Sequence, residues 1–417
     1  MVTESACKKG RALYTAQAAL EHLVSILVAG SFLATLTKQL GFSDSLTGIL
    51  SSFISLGCLF QLFSVFLHKR QMKPVVIVMS VINQVLFSLL YIIPILNLRK
   101  PIKTALFIAA VFLAYILYYI VHPKKINWLM SLVEDGKRGR FTANKEIISL
   151  IAGMIFQFAM GALIDTFASK GQLKTAFMLA GAIMLVMTVL HTLCMLGTPE
   201  KPIPYKPTAK LTNTIKELIT NKKVLHITVV FVLYYAGTYF SVPFYGTYNI
   251  NELGFSLTFV SALTIFGSVT RILVSRFWGK YADKHSFAIM TEKCLLVLGA
   301  SYLCFTFATP ATAKVAVALY YLIHGIAMGG INSALTNLIF DYIAPEKRAD
   351  SLALCQAMAG TVGFIATLIA SPLVSFVQNQ GNTFLGLPVY AQQVTSFISL
   401  LLTITAILYV RQTIKKD

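Results

Sequence analysis

The sequence predicts an all-α membrane protein of twelve transmembrane helices arranged as two pseudo-symmetric six-helix bundles. Three observations lead there. Of 417 residues, 56% are hydrophobic and 12% charged, about half the charged share of a soluble domain. Apolar stretches close to the roughly 20 residues that cross a bilayer recur along the whole chain. Motifs of the first half also return in the second at one nearly constant offset. Leu40-Gly41-Phe42-Ser43 recurs as Leu253-Gly254-Phe255-Ser256, and Asn127, Lys137, Arg138, Ala143 and Gly153 as Asn337, Lys347, Arg348, Ala353 and Gly363. Common order and spacing indicate an internal duplication.

The repeat assigns residues 1–197 to the first bundle, 198–223 to a connector and 224–417 to the second bundle. The connector is the longest polar interruption: it carries Lys201, Lys206, Lys210, Lys216, Lys222 and Lys223, with Pro202, Pro204 and Pro207 among them. Leu211, Ile215, Leu218 and Ile219 then follow at helical spacing, so an extended tether leads into an amphipathic surface helix. The net charge of +19 does not point to nucleic acid, because the basic residues sit in alternate short loops, as membrane topology requires. That distribution predicts a multi-pass plasma-membrane protein with both termini cytoplasmic. The loop with Arg99, Lys100 and Lys103 is more basic than its outer side should be. Lys8, Lys9 and Arg11 precede a long first span without a cleavage site, which reads as an uncleaved helix. The six cysteines lack metal-ligand spacing and read as packing residues.

Span 1, residues 13–36, holds Glu21 and His22, and ionisable groups inside a membrane are functional by default. Gln17, Glu21, Ser25, Phe32 and Thr35 fall on one broad face of a continuous helix. Spans 2 and 3, residues 45–67 and 74–96, read as scaffold. Span 4 is more informative: the apolar run 104–121 meets His122-Pro123-Lys124-Lys125 and resumes over 126–133. Under the repeat the lysines match Ala334 and Leu335 inside span 10, so the helix continues through them, kinked at Pro123. They then lie about nine residues, or roughly 13 Å at 1.5 Å each, above the inner surface, at a depth similar to Glu21. Tyr115, Tyr118, Tyr119 and His122 share one face of this span. An aromatic face ending in a cation suits a ligand with a flat apolar surface and a negative group.

Spans 5 and 6 cover 142–164 and 175–196. Span 7, 224–248, carries Tyr235 and Tyr239 among its tyrosines. A turn from Trp278 to Ser286 separates spans 8 and 9, with Arg271 and Glu292 facing each other across it. Span 10, 314–342, holds Tyr321 and His324, with Gly325 and Gly329 at close-packing spacing. Spans 11 and 12 cover 351–377 and 387–410.

The run Gly279-Lys280-Tyr281-Ala282-Asp283-Lys284 resembles the signature of the major facilitator superfamily between its helices 8 and 9, and the loops Lys137-Arg138-Gly139-Arg140 and Pro345-Glu346-Lys347-Arg348 resemble the segments ahead of helices 5 and 11. The resemblance covers essentially the whole chain. It implies a cavity lined by spans 1, 4, 7 and 10, and a conformational latch of Gly279, Asp283, Lys284, Arg138 and Arg348. In that latch Gly279 permits a tight turn, and Asp283 caps span 11 and pairs with Arg348. The repeat puts Lys73 opposite Asp283, so the first half lacks the acid and must use Glu134, Asp135 or Glu146. Span 5 lacks the Gly-Pro signature that exchangers of this family often carry.

The resulting expectation is a secondary active transporter for a small organic, anionic solute, working by alternating access with a proton, or sodium in its place. Glu21 and His22 would couple the proton. Gln17, Ser25, Tyr115, Tyr118, Tyr119, His122, Lys124, Lys125, Tyr235, Tyr239, Tyr321 and His324 would bind substrate, with Glu21 pairing to Lys124 or Lys125 when the site is empty. Burial favours the protonated acid and a cation favours the carboxylate, so such a group can alternate between them. No cofactor or metal is implied, and the expected partners are the solute, the ion and the lipid bilayer around a monomer. The alternative is a facilitator or drug-type exporter of neutral or lipophilic compounds. A receptor is the more remote reading, and an enzyme is disfavoured by the absence of a zinc, nucleophile or phosphate-loop motif.

Overall fold

A computed structural model of the chain describes residues 3–67, 72–134, 137–200, 220–343, 348–384 and 386–414. Among the described residues it is helical apart from a hairpin pairing Thr383–Phe384 with Leu387–Pro388. The first eight helices are α1 (Glu4–Leu27), α2 (Gly30–Leu40), α3 (Asp44–Ser51), α4 (Phe53–Phe60), α5 (Lys73–Ile92), α6 (Lys100–Met130), α7 (Arg138–Ser169) and α8 (Leu173–Gly197). Seven more follow: α9 (Lys222–Thr247), α10 (Leu257–His285), α11 (Phe287–Thr306), α12 (Ala313–Met328), α13 (Ile331–Tyr342), α14 (Arg348–Asn379) and α15 (Ala391–Tyr409). Alone or joined to short continuations they give, among the described residues, 11 segments long and apolar enough to span a membrane, and the bent pair α1–α2 makes 12. Large apolar side chains such as Leu273, Phe307 and Val315 face outward at 67–73% exposure, which suits a lipid surround and not water.

Helix ends follow local chemistry. Thr3 caps α1 by accepting from the Ala6 amide at 3.3 Å, and Ser43 caps α3 through Leu46 at 3.2 Å; each satisfies an amide that has no partner inside the helix. Pro74 and Pro101 sit in the first turns of α5 and α6, where no amide donor is needed. Gly41 ends α2 at φ +67.

Two compact units emerge, one made of Met1–Phe42, Phe60–Pro207 and Ser256–Ser261, the other of Ser43–Leu59, Thr208–Phe255 and Ala262–Asp417. Span 2 therefore begins in the second unit. There Ser55 donates to the Gly360 carbonyl at 2.9 Å, and a Cβ on Gly360 would collide with Cys58 at 2.6 Å. In the first unit α1 packs on α7 and α8, and α5 on α6 and α8. Tyr14, Ile77, Val121, Trp128, Leu129 and Met195 form an apolar layer between them, and Trp128 donates its indole N–H to the Pro199 carbonyl at 3.0 Å. In the second unit α9 packs on α14 and α15, and α11 on α12 and α15.

Several expectations need correction. Span 1 starts nine residues early, at Glu4, and is broken: α1 and α2 meet at 44°, where Gly30 takes φ +52. Phe32 and Thr35 therefore leave the face of Gln17, Glu21 and Ser25. Span 2 is α3, α4 and a 3-10 turn over Gln61–Phe66. Gly279 forms no turn. It lies inside α10, which runs to His285, and the reversal falls on Ser286 at φ +112, whose hydroxyl caps α11 through Ile289. Span 10 divides at Gly329 and Gly330 into α12 and α13. Span 4, by contrast, is one helix through Pro123, Lys124 and Lys125. The amphipathic connector helix, with Leu211, Ile215, Leu218 and Ile219, lies outside the described residues, as do Asp135 and the side chains of Arg138 and Asp283.

Candidate functional site

In the first unit one helical turn separates the apolar layer from a polar one on each of four helices. Tyr14 gives way to Gln17 and Glu21 on α1, Ile77 to Ser80 and Gln84 on α5, Trp128 to Lys125 and His122 on α6, and Met195 to His191 on α8. The centre of this layer is an ion pair. Lys125 Nζ donates to Glu21 Oε1 at 2.8 Å and Oε2 at 2.7 Å, with the lysine side chain 2% exposed and the glutamate 19%. A third contact runs from the same ammonium to His191 Nε2 at 3.4 Å. Since an ammonium can only donate, that nitrogen accepts and the histidine proton sits on Nδ1. Such an arrangement is costly to bury unless every donor and acceptor is used; here each ammonium proton has an acceptor, while the His191 Nδ1 proton has no partner among the described residues.

The lysine ambiguity is thereby resolved. Lys125 pairs with Glu21, whereas Lys124 is half-buried on another face and makes no ion pair among the described residues. Tyr118 contacts Tyr119 at 5.1 Å and His122 at 5.0 Å, so three of the four aromatic positions of span 4 form a continuous ring surface. Tyr115 is 8% exposed and packed edge-on to Phe87 at 5.2 Å, which makes it part of the core. His22 lies against Gly153 of α7, where a Cβ would approach its ring to 2.8 Å. Ser25 is exposed and bonds the His22 carbonyl at 2.8 Å. Gln17 is 1% exposed.

The second unit has an aromatic wall. Tyr235 stacks on Tyr239 at 5.6 Å, and Tyr320 bridges Tyr321 and His324 at 5.4 and 5.0 Å. The latch residues are less informative. Gly279 has open space where a Cβ would go, Lys284 is exposed, and Arg348 donates Nε to the Ile343 carbonyl at 3.0 Å.

Sequence reasoning missed several groups. His191 is an ionisable residue inside a span, a signal that was available. Lys145 on α7 reads in sequence as a topological charge near a span end, yet it is half-buried, its Nζ 5.4 Å from the centroid of the Tyr14 ring. At Lys73 the structure adds an acid that the sequence reading did not name, Glu200. It accepts from the Met72 and Lys73 amides at 2.8 and 3.1 Å, while Lys73 Nζ donates to the Leu196 and Thr198 carbonyls at 2.7 and 2.8 Å. Glu134 is exposed and tied to Lys137 at 2.7 Å, a hydrogen bond that holds its carboxyl below the usual range. Glu292 accepts from Arg411 at 2.6 Å, a partner the hairpin argument did not name.

The family model of the Major Facilitator Superfamily matches residues 18–368. The chain belongs to that superfamily. Solved superfamily-like structures share its fold over nearly its full length: the POT family transporter PepTSo at TM-score 0.74 and 12% identity, covering 98% of this chain and 99% of its own, and the nucleoside transporter NupG at 0.71 and 12%, covering 96% and 98%. The D-xylose-proton symporter aligns at 0.68 and 13%, covering 97% of each. No curated protein sequence matches the chain. Superfamily membership makes this a membrane transporter and not an enzyme, and the twelve-span fold predicted from the apolar stretches agrees with it.

Proposed function

We propose that the chain is a secondary active transporter that carries a small organic anion together with a proton, by alternating access across a plasma membrane, with both termini cytoplasmic. One observation carries this reading: a half-buried carboxylate and a buried ammonium, each the other's principal partner, at 2.7 and 2.8 Å. While Glu21 is ionised the pair is neutral and Lys125 is fully engaged. When Glu21 takes a proton the attraction ends, the pair carries one positive charge, and an anion is needed to neutralise it. Proton and anion therefore enter and leave together. The aromatic surface of Tyr118, Tyr119 and His122 offers a flat apolar body a place to stack beside that charge.

The test uses full-length protein in liposomes loaded with a pH-sensitive dye, with hippurate, a poorly permeant aromatic carboxylate, applied outside. An inward hippurate gradient is expected to acidify the lumen, and Glu21→Gln to abolish that acidification. Hippurate uptake by Glu21→Gln with unchanged pH dependence would remove the coupling role. The stacked tyrosines of the second unit favour a second reading, export of neutral lipophilic compounds. Equal transport of hippurate and its neutral amide would select it.

A further inference from the structure

We propose that Lys145 of α7 is the cation that anchors the carboxylate of an aromatic organic anion, while Lys125 serves the coupling pair. This deepens the proton–anion reading above and rests on it. The two ammonium groups differ in the partners they already have. Lys125 has three acceptors, the two oxygens of Glu21 and Nε2 of His191, and has no donor to spare while Glu21 is charged. Lys145 is half-buried inside a span and has no carboxylate within ion-pair distance among the described residues. Its near partner is the face of Tyr14, 5.4 Å from the ring centroid. A π face compensates a cation by about 0.5–2 kcal/mol, well short of what taking an ammonium out of water costs.

Charge completes the case. Lys145, Lys125, His122 and Glu21 lie within electrostatic range of one another, and Glu146 is the next residue along α7. With neutral histidines Glu21, Lys125, Lys145 and the adjacent Glu146 sum to zero while Glu21 is ionised and to one positive charge once it is protonated, which one carboxylate then neutralises. His122 adds a buried Nδ1 that has no hydrogen-bond partner and belongs to the ring surface with Tyr118. Lys145 and Phe141 both flank Tyr14, the phenyl ring at 5.4 Å. A carboxylate on a flat ring fits cation, donor and aromatic surface at once. In this scheme Lys145 is the first contact of the anion, and retention of the anion needs the second contact that the Lys125 ammonium offers when the proton on Glu21 releases it.

Calorimetric titration of the purified full chain with hippurate, and with its neutral amide as control, tests the assignment. Hippurate is expected to bind and the amide not. Lys145→Gln should weaken hippurate at least tenfold at every pH, and Lys145→Arg should stay within about threefold of the parent, which also shows that loss in the glutamine variant is not misfolding. Glu21→Gln, which leaves Lys145 in place and frees Lys125, should bind hippurate more tightly and without pH dependence. Unchanged affinity in Lys145→Gln, or parent protein that ignores hippurate or binds the amide as well, overturns the anchor. If Lys145→Gln is unaffected while Glu21→Gln behaves as stated, the coupling reading survives alone. If Glu21→Gln keeps the parent's pH dependence while Lys145→Gln loses binding, the anchor survives and the coupling reading fails.

Discussion

His191 Nε2 lies 3.4 Å from the Lys125 ammonium, and it is the acceptor that does not change charge when Glu21 is protonated. A lysine released from its carboxylate in a buried site needs somewhere to place its protons, because an unsatisfied donor costs about 1–3 kcal/mol and more when charged. His191 is 0% exposed, so water does not stand in for it. His191→Leu is expected to lower the unfolding free energy by about 1–3 kcal/mol and to raise the hippurate KM with kcat less affected. His191→Asn, which keeps an acceptor, should recover part of both. Equal loss in the two variants together with a displaced pH profile would instead make His191 a proton carrier.

Much of this was legible in the sequence, for identifiable reasons. Spans are read from hydropathy because lipid admits only internally bonded backbone, and the duplication was visible because turn residues such as Gly41 and Gly254 keep their places, both at positive φ. Glu21 and Lys125 could be matched in depth by counting residues, since α1 and α6 are regular there. What escaped depended on rotation and on partners far along the chain. Lys124 and Lys125 are adjacent, and only the packing of α6 shows which one meets Glu21. Glu200 caps a helix 127 positions away, and no local pattern announces that. Breaks at Gly30 and Gly329 were hidden inside uniformly apolar runs.

Gly325 and Gly279 offer a contrast in what a glycine does. A Cβ on Gly325 would lie 2.5 Å from the Gly267 carbonyl oxygen, backbone against backbone, so α12 and α10 touch where neither has a side chain. Gly325→Ala is expected to destabilise by about 1–3 kcal/mol. Around Gly279 there is open space and helical backbone, so Gly279→Ala should stabilise by about 0.5–1 kcal/mol. Thermal unfolding of the two variants in one detergent decides the matter. A loss of stability in Gly279→Ala would show that the glycine has a contact or a motion that this conformation does not display.

Glu200 and Lys73 tie two helix ends together reciprocally. The carboxylate of Glu200 accepts the first amides of α5 and the ammonium of Lys73 donates to the last carbonyls of α8, so each charge sits at the helix end whose dipole favours it. Met72, the residue before α5, contributes no side-chain cap, which leaves Glu200 to satisfy those amides. Glu200→Ala is expected to cost about 0.5–2 kcal/mol and to raise hydrogen exchange at the first turn of α5, with α7 unaffected. Lys73→Met should fray the end of α8 and leave the α5 amides protected, because their acceptor remains. Global loss of protection in either variant, in place of two separate local ones, would mean that the pair holds the whole unit together and not merely two helix ends.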